Sequence, residues 1–166
     1  MEQGKITVFT GSGHGKTSAA LGNALQRAAL GKNVVVIQFL KGKGLQATQY
    51  LQRLEPEIKL FRFEKSIENF TERTEEEKKE EIANIRNGLG YARKVLSTGE
   101  CSLLVLDEVL GLVNNDILSN EELRAILDSR GETDIILTGL AINEEVCRMA
   151  DEINEIEMVK SCSLCS

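Results

Sequence analysis

A chain of 166 residues, 42% of them apolar, is long enough to form one domain with a sizeable buried core and needs no disulfide or metal staple. Its formal net charge of −6 and pI near 5.0 exclude a protein whose main business is coating nucleic acid, because that work requires a basic face. No apolar run approaches the roughly 18 residues of a membrane span, and no charged-then-apolar leader opens the chain, so a cytoplasmic location is expected.

The first element is the β-branched run Ile6-Thr7-Val8-Phe9, which predicts a buried strand over 6–10. An apolar-periodic stretch predicts a helix over 17–30, ended by Gly31 in a left-handed cap. Between them stands Thr10-Gly11-Ser12-Gly13-His14-Gly15-Lys16-Thr17-Ser18. Strand, glycine loop, helix is the context of a phosphate-binding loop: glycines let main-chain N–H groups turn inward, and the helix N-terminus favours anions. Gly11, Ser12, Gly13, His14, Gly15, Lys16, Thr17 and Ser18 are therefore candidate ligands of a nucleotide's phosphates, with Lys16 a mobile charge and the Thr17 hydroxyl placed for a magnesium ion. The strict pattern asks for glycine where Thr10 stands.

Val34-Val35-Val36-Ile37 is apolar without alternation, as in a central strand covered on both faces, and a strand is expected over 34–39. It leaves into Lys41-Gly42-Lys43-Gly44, on the sheet edge where open parallel sheets bind ligands. Lys41 and Lys43 are either contacts to an anionic substrate or solvated lysines on a turn. A short helix over 46–54 stops before Pro56, a strand follows over 58–63, and the polar stretch 66–74 reads as a surface excursion able to act as a lid. Thr74 and Glu77 have capping-box spacing and open a long helix to about Ser97, whose apolar face is read from Ile82, Ile85, Leu89 and Leu96, with the charged run Glu75–Glu81 solvated.

Ser102-Leu103-Leu104-Val105-Leu106 is a second continuous apolar strand, expected over 102–107, and it delivers Asp107 and Glu108 at its end. Two adjacent carboxylates beside a triphosphate are unfavourable without a divalent cation between them, which makes Thr17, Asp107 and Glu108 the candidate metal site. A helix over 119–129, a strand over 133–138 ending at Gly139, a helix over 143–150 and a weak strand over 152–157 complete the series. Cys101 and Cys147 adjoin apolar runs and are expected in the core. Cys162 and Cys165 have the spacing of half a zinc site or of a redox pair, but the plainer reading is a frayed terminus. The alternation of strands and helices predicts an α/β fold, a mostly parallel sheet with helices on both faces in the P-loop NTPase-like (RecA-like) manner. Residues 1–166 are expected to form a single nucleotide-binding domain, with 155–166 a flexible tail.

The set Thr10–Thr17, Gln38-Phe39-Leu40-Lys41-Gly42, Leu106-Asp107-Glu108, Thr138-Gly139 and Ala150-Asp151-Glu152, in this order and over about residues 5–160, resembles the ATP:corrinoid adenosyltransferases of cobalamin salvage. The resemblance implies attack of a reduced cobalt(I) corrinoid on the 5′-carbon of ATP, with triphosphate leaving. It further implies magnesium or manganese as cofactor, a homodimer and a reductase supplying electrons to cobalt, while the acidic charge and the lack of a long apolar run predict no nucleic-acid or membrane partner. Lys16, Thr17 and Glu108 would be catalytic, Lys41 would bind substrate, and Phe70 would wall the corrinoid side. The chain departs from the family pattern at His14, Gln26, Glu72 and Leu140. From another class, a P-loop module that hydrolyses ATP as a switch on a protein partner fits the same loop, as does a lapsed paralogue that binds without transfer.

Overall fold

The computed structural model describes residues 2–39, 52–63 and 73–162. Six strands, β1 (Ile6–Thr10), β2 (Val34–Gln38), β3 (Ile58–Arg62), β4 (Leu103–Asp107), β5 (Asp134–Thr138) and β6 (Glu152–Glu155), form one sheet in the order β3-β2-β4-β5-β1-β6. Every neighbouring pair is parallel. Parallel neighbours need crossovers, and among the described residues helices supply four of them: α1 (Lys16–Ala29) between β1 and β2, α2 (Glu75–Thr98) between β3 and β4, α3 (Val109–Asn114) and α4 (Asn120–Asp128) between β4 and β5, and α5 (Glu144–Met149) between β5 and β6. The α/β reading from sequence holds; β1 has the expected bounds and the other five strands are shorter than expected by one or two residues.

The core has two layers, divided by strand parity. On one face Val34, Val36, Ile58, Leu103, Val105 and Ile136 pack under α1, where Ala20 and Ala24 are small enough to bring the helix close to the sheet. On the other face Val35, Ile37, Leu104, Leu106, Ile135 and Leu137 meet α2, α3 and α4. Because side chains alternate, the last residues of β2, β3, β4 and β5, namely Gln38, Arg62, Asp107 and Thr138, share the α1 face. That is the face on which the glycine loop feeds into α1. At roughly 25 cal/mol per Å², burial of these aliphatic side chains is the dominant stabilising term.

Several elements differ from the sequence reading. Residues 46–51 of the expected helix lie outside the described residues, and Gln52–Leu54 is a 3-10 turn. The Thr74–Glu77 capping box forms as expected. The buried face of α2, however, runs through Glu81, Ile85, Gly88, Leu89, Ala92, Val95 and Leu96, so Ile82 is 37% exposed and Glu81 only 4%. The phase is set at Gly88, where an added Cβ would lie 2.7–2.8 Å from the rings of Phe63 and Phe39. Glu81 is therefore not part of a solvated run; its carboxylate accepts from Arg73 at 3.2 Å. Helix α3 was not anticipated, because its six residues continue the apolar strand pattern of β4. Cys101 is buried as expected, but Cys147 is exposed, since the short helix α5 turns Val146 inward instead. The weak final strand ends at Glu155, and Cys165 lies outside the described residues. Among the described residues no helix is long and apolar enough to cross a membrane.

Candidate functional site

The glycine loop joins β1 to α1, and its shape follows from two left-handed residues. Gly11 and Gly15 have φ of +112° and +106°, a conformation that an L side chain rarely adopts. A Cβ on Gly11 would sit 2.4 Å from the carbonyl oxygen of Ile156, whereas a Cβ on Gly15 would meet nothing within 4 Å. The loop is thus pressed against the strand-exit segment at Ile156 on one side and open on the other. Its amides divide accordingly. Gly13 N–H donates to the Ile156 carbonyl at 2.8 Å and Gly11 N–H to the Leu140 carbonyl at 3.2 Å, so these two glycines shape the loop rather than lend their amides to a ligand. The first turn of a helix leaves its N–H groups pointing out of its end, and here that turn begins with Lys16, Thr17 and Ser18. The Lys16 ammonium bridges the loop by donating to the carbonyls of Gly11 and Gly13 at 2.8 and 2.9 Å. Ser12, His14, Gly15 and Ser18 are exposed along the open side.

Asp107, 1% exposed, lies at the centre of a polar cluster beside this loop. The Thr17 hydroxyl donates to its carboxylate at 3.0 and 3.2 Å, the Thr138 hydroxyl at 2.6 Å, and the Gln38 amide nitrogen at 3.0 Å. Thr138 in turn accepts from the backbone N–H of Glu108 at 2.8 Å. Gln38 Oε1 accepts from the Arg62 guanidinium at 3.1 Å. Glu108, half-buried, holds a left-handed backbone with φ of 62°. For a non-glycine residue this costs on the order of 1–2 kcal/mol, a strain of the kind stored at functional sites.

The donor set suits a hard divalent cation. The Thr17 hydroxyl and Asp107 carboxylate are oxygen ligands placed together next to the open side of the loop, as magnesium or manganese requires. Among the described residues no group of three His, Cys, Asp or Glu side chains could cage a metal. An ion here would complete its shell with phosphate oxygens and water, which is the habit of magnesium.

Of the residues singled out from sequence, the structure brings together the loop, Thr17, Asp107 and the backbone of Glu108. Lys41 and Phe70 lie outside the described residues. Sequence reasoning missed Gln38, Arg62 and Thr138 as parts of the Asp107 cluster; the one available signal was a polar residue at the end of each of these three strands. A cavity of about 900 Å³ opens at the opposite, amino-terminal edge of the sheet, lined by Arg27, Cys101, Arg130 and Asp134 among others, and contains none of the loop. There burial pushes the Cys101 thiol up to about 11.

The chain matches the family model described as ATP:corrinoid adenosyltransferase BtuR/CobO/CobP over residues 2–163. It is 33% identical over 160 residues to the corrinoid adenosyltransferase of Escherichia coli (strain K12), covering 96% of this chain and 79% of that one. The corrinoid adenosyltransferase CobA of Salmonella typhimurium (strain LT2) is 34% identical with the same coverage of 96% and 79%. Among solved structures, a KaiC-like protein of Pyrococcus horikoshii OT3 superposes with a TM-score of 0.58 at 15% identity, covering 95% of this chain and 74% of that one, a likeness of fold alone.

Proposed function

The chain belongs to the ATP:corrinoid adenosyltransferase family, and from that premise we propose how its residues divide the work. The activity is transfer of the 5′-deoxyadenosyl group of ATP to a reduced corrinoid. In that reaction the cobalt–carbon bond forms as the bond between C5′ and the triphosphate oxygen breaks, and the electron pair leaves with the triphosphate. Negative charge therefore accumulates on the departing group. Aiming fixed dipoles and charges at such a site is usually the largest catalytic term.

In this reading the amides at the head of α1 and the Lys16 ammonium hold the triphosphate, and Gly11 and Gly13 keep the loop in shape against Ile156. Thr17 and Asp107, with Glu108 beside them, hold a magnesium or manganese ion, which when bound supplies further neutralisation of the triphosphate. The nucleophile is cobalt, so the protein's task is to bind, orient and stabilise rather than to attack. Lys41 and Phe70 belong to the substrate side, and a homodimer and a reductase acting on cobalt belong to the same reading; these rest on the family resemblance. The observation that carries the site assignment is the contact of Thr17 with Asp107 beside the open face of Gly15.

Product analysis tests it. Incubation with ATP, magnesium and chemically reduced cobalamin is expected to give intact triphosphate and a light-sensitive corrinoid. ADP with inorganic phosphate as products would instead assign the loop to hydrolysis.

A further inference from the structure

Three strand ends lie in one row. Gln38 is the register partner of Arg62 on one side and of Asp107 on the other, and all three side chains share the α1 face. Their hydrogen bonds run in one direction: Arg62 Nε donates to Gln38 Oε1 at 3.1 Å, and Gln38 Nε2 donates to Asp107 Oδ2 at 3.0 Å. The chemistry at both ends permits this sense and no other. A guanidinium only donates, so the amide must turn its oxygen to Arg62; an ionised carboxylate only accepts, so the amide must turn its nitrogen to Asp107. Gln38 is 1% exposed, which removes water as a competing partner and strengthens each bond through polarisation of the next.

We propose that Gln38, with its amide set by Arg62, is the positioning residue that fixes the Asp107 carboxylate for the metal–triphosphate complex. The inference rests on the assignment of Thr17 and Asp107 to a metal site. Thr138 holds Oδ1 and Gln38 holds Oδ2, so the plane of the carboxylate is determined from two neighbouring strands before any cation arrives. Such outer partners of a ligand commonly govern metal affinity by 10–100-fold without touching the metal. Arg62 acts through Gln38, two strands from Asp107, and should have no effect of its own once Gln38 is gone.

The test uses Mn²⁺ as probe and needs no corrinoid. Free Mn²⁺ is followed by its electron paramagnetic resonance signal while the full-length protein, saturated with ATP, is titrated. Gln38→Leu is expected to raise the Mn²⁺ Kd about tenfold or more, with ATP affinity in the presence of a chelator unchanged. Arg62→Met should raise the Kd by a smaller factor, and the double variant should match Gln38→Leu alone, as a cycle through one shared partner requires. An unaltered Mn²⁺ Kd in Gln38→Leu, or effects of the two substitutions that multiply, overturns the proposal. If Gln38→Leu does not fold, Arg62→Met decides by itself: a weakened Kd supports the relay, and an unaltered one ends it. Wild-type protein that bound ATP but took up no Mn²⁺ would remove the metal site itself and the inference with it, whereas wild-type uptake with unaffected variants removes the inference alone.

Discussion

The Thr17 hydroxyl lies 3.0 and 3.2 Å from the two carboxylate oxygens of Asp107, tying the first turn of α1 to the end of β4 across 90 residues of sequence. Giving its single proton to Asp107 makes the hydroxyl oxygen the atom presented to a cation. Thr17→Val, which keeps the shape and removes the oxygen, is expected to abolish the increase in ATP affinity that magnesium brings, a loss on the order of tenfold for one charge-assisted contact. Asp107→Asn should do the same. Calorimetric titration with ATP in magnesium and in chelator checks this; a magnesium increment that survives both substitutions would place the metal elsewhere.

Lys16 is committed to the carbonyls of Gly11 and Gly13, so its ammonium sits over the loop before ligand arrives. Lys16→Ala removes a charge-assisted contact to phosphate worth roughly 1.5–3 kcal/mol, or about 10–100-fold in ATP affinity. The thermal midpoint should move little, because the residue is only part-buried and the loop is also held by the carbonyls of Ile156 and Leu140. Equal ATP affinity in the variant, measured by calorimetry, takes this lysine out of the site.

How much of this was legible beforehand depended on whether a residue's meaning is local. The glycine loop and the apolar strand ending in Asp107 carry their signal within a few residues, and both were placed correctly. Gln38 carries none. A glutamine closing an apolar strand acquires a role only when the register sets it opposite Asp107, 69 residues away. Helix α2 was legible except in its first turns: Ile85, Leu89 and Leu96 are buried as expected, but Glu81 faces inward where Ile82 was expected, on the face that packs Gly88 against Phe39 and Phe63. Tertiary packing overrode a periodicity in which one residue is 100° of rotation.

Burial raises the Cys101 thiol from its ordinary 9.0 to about 11, with Glu100 adding in the same direction. The folded state thus holds this proton after the unfolded chain has released it. The resulting stability is fully present below pH 9 and is lost as pH rises toward 11. Denaturant midpoints measured from pH 8 to 11 are expected to fall less steeply in Cys101→Ala than in wild type. In thiol-labelling at pH 8, exposed Cys147 and Cys162 should react at once and Cys101 at the rate of unfolding. Immediate labelling of Cys101 would mean that the cavity at the amino-terminal edge admits reagent.

Glu81 and Arg73 form an ion pair at 3.2 Å with side chains only 5% and 13% exposed, and Glu81 Oε1 is buried without a hydrogen-bond partner among the described residues. A pair so enclosed gains much of its Coulomb energy only to offset desolvation, so its net stabilisation is small while the cost of breaking it is large. Arg73→Met leaves a carboxylate buried without its cation and is expected to lower stability by about 3–5 kcal/mol. Arg73→Met combined with Glu81→Leu removes both charges and fills the space with apolar side chains, and should recover most of that loss. Urea midpoints of the two single variants and the double one give the comparison. A single variant as stable as wild type would show that water reaches Glu81, and a double variant no better than Arg73→Met would show that the site on α2 needs the carboxylate for something other than pairing with Arg73.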